Sequence, residues 1–351
     1  MGVVMNLSRL IRPLFPTVIV GIEIDHKICN VVVHFYKNGQ LISNQNKEFR
    51  TNPGELPIQA VRFIQKIRAK NPFTYTSVFP CSIIQGILST DKESEFKNFG
   101  VNCSEISYKR FDNNWSVFIA NEGIAETKKR FLRLGADFVI SPFLVLYHLA
   151  KDTFQDSCKL YILFQHSNIT MLVTKKNCGA LFGGYYVLES EIDSELTVVR
   201  NSLSEDDDDI QKTNIEKDLQ DELSGIEEVD LNNDANDDEL IEVLKGESEE
   251  SDINLHTEIE NNEDLDNFSR VNTVAKFIQS ALNEFYSNPL YNSEFISEIV
   301  IFNPLNIRQE TLQQIQQITM LEVSVFVCDI AQELANLGYD SYREFEKKGE
   351  V

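Results

Sequence analysis

The side chains of this 351-residue sequence that could do chemistry are few and scattered. Its five histidines, His26, His34, His148, His166 and His256, form no HxxxH or HExxH pair, so no spacing sets two imidazoles on one helix face for a metal. His148 lies in an apolar run and reads as a histidine satisfied within the structure. Cys81 follows Pro80 with no histidine close by in sequence and reads as a buried, inert thiol. The six cysteines show no CxxC pair and no disulfide framework, and with no secretory signal all six are expected as free thiols. No GxSxG, P-loop or GxGxxG motif occurs. The run Glu205-Asp206-Asp207-Asp208-Asp209 is rich in carboxylates but lacks the glycine-turned spacing of a calcium loop, which leaves it only weak cation condensation. No metal site is expected. What remains is a set of turns at strand ends, around residues 21–26, 164–170 and 302–304, whose meaning depends on the elements that carry them.

Charge divides the chain. Residues 201–270 hold 26 acidic and 4 basic side chains, whereas the remainder holds 29 and 28, so most of the formal charge of −23 sits in one segment. That segment has Phe268 as its only aromatic, repels itself and has too little apolar surface to offset its ordering entropy. A disordered insertion is expected there, with short transient helices around 216–223 and 239–244, acting as a solvated loop or as a tether for a basic partner. The rest is a nearly neutral body, 42 % hydrophobic over the whole chain, with the makings of a sizeable core. A general nucleic-acid binder needs a basic surface to displace counterions, and the charge argues against one. Residues 1–17 place Arg9 and Arg12 among Leu7, Leu10, Ile11, Leu14 and Phe15. This is too short and interrupted for a secretory signal; it reads as a leader into the first strand or an amphipathic arm touching a membrane or partner. No apolar run approaches the ~18–20 residues of a membrane span.

The body opens with an expected three-stranded meander at 18–24, 28–36 and 41–49. Asp25-His26-Lys27 is the first turn, and Lys37-Asn38-Gly39-Gln40 the second, with Asn and Gly where positive φ is wanted. Ile58, Val61, Ile64 and Ile67 give helical spacing over 55–69, started by Pro53 and Pro57 and stopped by Asn71-Pro72. A short strand follows at 76–79. Further on come a strand at 115–120, a helix at 122–134 capped by Asn121 and stopped by Gly135, a strand at 137–140 and a buried helix at 142–151. The opening pattern then repeats, with strands at 159–164, 169–174 and 180–188. Beyond the acidic segment the reading gives a helix at 271–287, a strand at 296–302, a helix at 308–318, a strand at 322–328 and a last helix at 329–337 capped by Gly338.

Two meander-plus-helix units in one chain resemble the actin-like ATPase superfamily, whose duplicated domains close on a nucleotide. The strand, Ala-Asn-Glu helix start, Arg133-Leu134-Gly135-Ala136-Asp137 turn, strand and buried helix within 115–150 are similar to the inserted subdomain and its return in the PilM family of type IV pilus assembly. The cytoplasmic domain of its type II secretion counterpart GspL is also similar. The resemblance spans roughly 18–188 and 271–337. It implies an α/β, actin-like (ribonuclease H-like) pair of domains with an inserted α+β subdomain. The expected layout is an arm at 1–17, a first domain at 18–80 and 142–158, the inserted subdomain at 81–141, a second domain at 159–200 and 271–345, and the acidic insertion at 201–270.

The nucleotide motifs of that superfamily are altered in this sequence. Its Asp-x-Gly turn lets backbone N–H groups approach the phosphates while the Asp helps position the metal. In Gly21-Ile22-Glu23-Ile24-Asp25-His26, Glu23 stands at the Asp and Asp25 at the Gly, where a carboxylate repels phosphate and a Cβ blocks close approach. The second turn reads Phe164-Gln165-His166, with only Thr170 retained. The glycine pair of the third reads Phe302-Asn303-Pro304. Three simultaneous losses imply a pseudo-ATPase. The expected function is a non-catalytic scaffold on the cytoplasmic face of an inner membrane, in a secretion, pilus or DNA-uptake machine. It would bind the tail of a bitopic membrane partner and couple it to a secretion-type ATPase, with no nucleic acid and with peripheral membrane contact made through the partner. No cofactor is expected. By resemblance the tail groove lies near 73–79 and 115–120, with Phe79, Trp115 and Phe118 as candidate anchors; ordinary core is the competing reading of Phe118. The alternative is an active actin-like ATPase or small-molecule kinase that binds ATP and magnesium through Gly21, Glu23, Asp25, Thr170 and Asn303. The C-terminal Lys347-Lys348 follows a helical stretch without an anchor, which favours the soluble PilM form over GspL.

Overall fold

The computed structural model describes residues 12–188, 271–304 and 309–348. The acidic segment and most of the expected arm lie outside them. The first lobe begins as a meander of β1 (Thr17–Asp25), β2 (Ile28–Lys37) and β3 (Gln40–Arg50). Asn38 and Gly39 join β2 to β3 with φ of +54° and +82°, the paired left-handed residues whose twist suits a two-residue hairpin. Pro57 lacks an N–H to lose and opens α1 (Ile58–Lys70), which buries Ala60, Val61, Ile64 and Ile67. β4 (Thr74–Val78) then lies parallel to β1. An excursion follows through β5 (Gln85–Leu88), β6 (Ile106–Phe111), β7 (Trp115–Ala120) and α2 (Asn121–Arg130). The chain returns as β8 (Phe138–Val139), parallel to β4, and α3 (Pro142–Ala150). The sheet order is β3-β2-β1-β4-β8.

The second lobe repeats this plan. β9 (Cys158–Phe164), β10 (Asn168–Thr174) and β11 (Phe182–Val187) form the meander. A helix over residues 271–287 (α4) leads to β12 (Ile296–Asn303), α5 (Gln309–Thr319) and β13 (Glu322–Val327). The order β11-β10-β9-β12-β13, with an antiparallel meander and two parallel additions, matches the first sheet strand for strand. The chain is thus an α/β protein with the duplicated actin-like plan. It closes with α6 (Ile330–Lys348).

Five layers result. α1 and residues 131–136 cover one face of the first sheet. α3 and α6 fill the middle, joining Ile19, Val32 and Tyr36 of the first sheet to Tyr161, Leu163, Leu172 and Val300 of the second. α4 and Ile315 of α5 close the far face of the second sheet. The small sheet β5-β7-β6 packs against β11, where a Cβ on Gly183 would stand 2.9 Å from Ile87 and from Phe143.

Two end signals differ from expectation. Gly338 does not stop the last helix, which runs on to Lys348. A Cβ there would stand 2.8 Å from Ser77 Cβ and 3.0 Å from Ile19 Cγ2, so this glycine brings α6 down onto the sheet instead of ending it. Asn121 is the first residue of α2 and makes no capping bond. Its Oδ1 instead accepts from Ser107 Oγ at 2.7 Å, tying the helix start to β6. Gly135 does turn the chain after α2, with φ +73° and its N–H donating to Phe131 O at 2.7 Å.

Candidate functional site

The first hairpin turn of each lobe meets its counterpart directly. Asp25 ends β1, and His26 beside it takes φ +51° to reverse the chain. In the other lobe Gln165 N–H closes the β9–β10 turn on Asn168 O at 3.0 Å, which leaves the N–H groups of His166 and Ser167 pointing outward. Asp25 accepts both: His166 N–H at Oδ2 (2.6 Å) and Ser167 N–H at Oδ1 (2.9 Å). Two consecutive amides converging on one carboxylate form the kind of anion nest a phosphate uses, and charge-assisted bonds of this sort are the stronger ones. The rings of His26 and His166 stand 3.9 Å apart above this contact.

Beneath lies Glu23, only 3 % exposed. Gln165 Nε2 donates to its Oε1 at 3.0 Å from the other lobe, and Asn30 Nδ2 donates to its Oε2 at 3.3 Å from the neighbouring strand. Burial, reinforced by the nearby charge of Asp25, pushes the Glu23 carboxyl up to about 7, while the bonds from Asn30 and Gln165 oppose the rise. Burial, helped by Glu23, also raises the Cys328 thiol to about 12, which keeps it protonated and inert.

The expected nucleotide ligands are therefore only partly assembled. Glu23 and Asp25 are together. Gly21 is buried within β1, where a Cβ would fall 2.0 Å from Ala331 O and 2.7 Å from Ala335 N; this glycine admits α6 rather than a phosphate. Thr170 is fully buried in β10, and its Oγ1 has no hydrogen-bond partner among the described residues. Asn303 ends β12, 4 % exposed, its carbonyl accepting Cys328 N–H at 3.2 Å. Magnesium with a triphosphate needs a free carboxylate and open amides. Both Asp25 oxygens and both amides are engaged with each other, and Glu23 is buried with a proton held to near neutral pH. The residues do not fit that ligand.

Two of the three candidate anchors are interior. Trp115 is 1 % exposed, its ring 4.6 Å from Phe111 and 4.7 Å from Tyr147, with Gly179 allowing the chain to pass against it. Phe118 packs with Leu88, Phe96, Val101 and Ile106 in the core of the small sheet, and Phe79 is half-buried against the central core. His148 is satisfied, with Nδ1 2.5 Å from Glu333 of α6 and Nε2 2.8 Å from Lys151 Nζ. Cys81 is half-buried rather than buried, its Sγ accepting from Arg130 at 3.5 Å, and all six cysteines are free. Among the described residues no cluster of three or more His, Cys, Asp or Glu could hold a metal, and no helix is long and apolar enough to cross a membrane.

Asn30, Gln165, His166 and Ser167 are the site residues that motif reasoning missed as participants. Asn30 carried a signal: it is the one polar side chain inside Ile28-Cys29-Asn30-Val31-Val32-Val33, and hairpin register sets it opposite Glu23.

Two family models match the chain, each described as a domain of unknown function: DUF8569 over residues 15–147 and DUF8341 over residues 160–343. No curated protein matches. Among solved structures, a Bacteroides thetaiotaomicron VPI-5482 protein described as having an actin-like ATPase fold and unknown function is similar at 8 % identity, over 91 % of this chain and 96 % of that one, with a TM-score of 0.44. A PilM–PilN type IV pilus biogenesis complex is similar at 11 % identity over 91 % and 98 %, with a TM-score of 0.47. An exopolyphosphatase from Cytophaga hutchinsonii ATCC 33406 is similar at 10 % identity over 48 % and 50 %, with a TM-score of 0.26.

Proposed function

We propose, from the premise that this chain belongs to the family of the domain of unknown function DUF8341, that it is a non-catalytic actin-fold scaffold. In this reading it works at the cytoplasmic face of a membrane within a secretion-, pilus- or DNA-uptake-type machine, holding the tail of a single-span membrane protein. The observation that carries the non-catalytic half is the Asp25 carboxylate seated on the His166 and Ser167 amides. An anion supplied by the chain itself fills the place where the fold would seat a phosphate. The partner half rests on the resemblance of the element order to the PilM family.

Calorimetric titration of the full chain with Mg-ATP tests the first half. No saturable binding is expected at millimolar nucleotide. Saturable micromolar affinity that Asp25→Ala abolishes would overturn the scaffold reading in favour of a divergent ATPase. The second half is tested by isolating the chain from detergent-solubilised membranes. A single-span membrane protein recovered in stoichiometric amount supports it, and recovery of the chain alone refutes it.

A further inference from the structure

Positive charge is concentrated on the outer layer of the first lobe. α1 carries Arg62, Lys66, Arg68 and Lys70 and no acid. Its buried stripe of Ala60, Val61, Ile64 and Ile67 turns Arg62, Lys66 and Lys70, spaced four apart, into an exposed row on the opposite side. Like charges at this spacing cost helix stability, so the row is not explained by the needs of the helix. The end of α2 and the turn after it add exposed Lys128, Lys129 and Arg133. The two stretches form one surface. The Arg68 guanidinium is 3.5 Å from Asp137, and Phe131 and Leu134 share a core with Ile64 and Ile67. Arg130 comes within 3.9 Å of where a Cβ on Gly54 would stand, in the turn before α1. Glu122 and Glu126 lie farther back on α2, and Asp137 is taken by Arg68. Among the described residues, Arg62, Lys66, Lys70, Lys128, Lys129 and Arg133 have no acidic partner.

Two large apolar side chains project from the same surface. Leu132, between Arg130 and Arg133, is 80 % exposed, and Ile58, at the start of α1, is 56 % exposed. Cations around protruding aliphatic side chains match an interface that is anionic outside and hydrocarbon within. We propose that this face docks on an anionic lipid bilayer. The lysines and arginines would lie at the headgroups, with Leu132 and Ile58 entering the acyl boundary. A nucleic acid would meet the cations but offer nothing to the aliphatic pair. The inference rests on the first lobe alone and not on the cleft, so it stands or falls independently of the proposed function.

Vesicle co-sedimentation of the full chain tests it. Binding is expected to phosphatidylcholine vesicles carrying phosphatidylglycerol, but not to phosphatidylcholine alone, and it should fall steeply as salt is raised. The variant Lys66→Gln/Lys70→Gln/Lys129→Gln should lose about a hundredfold in affinity, each charge lost contributing about fivefold, with an unchanged melting temperature because all three side chains are exposed. Leu132→Ser should lose binding that salt does not restore or remove. Three results would overturn the proposal: no preference for anionic vesicles, equal binding by the triple variant, or tighter binding to duplex DNA than to vesicles with Leu132→Ser without effect.

Discussion

Glu23→Gln isolates the buried carboxyl shared between the two lobes. The folded protein holds this carboxyl's proton up to about 7, against 4.5 for an ordinary glutamate. The unfolded chain therefore releases the proton first, and stability falls as pH rises from about 4.5 to about 7 and is level above that. At about 1.4 kcal/mol per pH unit, Glu23 withdraws roughly 2–3 kcal/mol from the folded state between pH 5 and pH 8. Glutamine carries no such proton. It presents one acceptor and one donor group as a protonated acid does, and the Asn30 and Gln165 amides can turn to match it. The two proteins should thus be close in stability at pH 5, and the variant should gain by about 2–3 kcal/mol relative to the parent at pH 8. Urea denaturation of both at several pH values measures this difference directly and cancels every other titrating group. Parallel curves, with the gap at pH 8 equal to that at pH 5, would refute the burial argument for Glu23.

Other substitutions probe the packing that holds the lobes together. Gly21→Ala places a Cβ 2.0 Å from Ala331 O, so α6 must retreat, and thermal melts should show a loss of about 3 kcal/mol. Trp115→Ala empties a fully enclosed site and should cost about 3–5 kcal/mol in denaturant titrations, with partner capture by the remaining folded fraction unchanged.

Local signals exposed most of the framework and little of the site. The two meanders were legible because long β-branched runs alternate with turn residues that tolerate positive φ, as at Asn38-Gly39. The strands β5 and β6 were not read. Gln85–Leu88 is only four residues and wholly buried, and Ile106–Phe111 mixes polar and apolar side chains with weak alternation. At Gly338 a helix-stopping glycine and a close-packing glycine look identical until the neighbouring sheet is known. At the site, the substitution of Glu23 and Asp25 into the phosphate turn was visible in the chain. Their role was not, since Asp25 meets its amides 141 and 142 positions away. Trp115 illustrates the reverse error, in which a lone tryptophan near an expected groove belongs to the interior.

The placement of α6 has a consequence for how this protein comes into being. The helix that seals the inner face of β1 is encoded more than three hundred positions after it. A ribosome delivers the first lobe long before its cover, and until α6 emerges Ile19, Val32 and Tyr36 have no Ile330, Leu334 or Tyr342 to bury them. The first lobe therefore matures only after α6 has been made. A chain truncated ahead of Ile330 would leave the inner face of the first lobe, and not the residues nearest the break, open to chaperones and proteases.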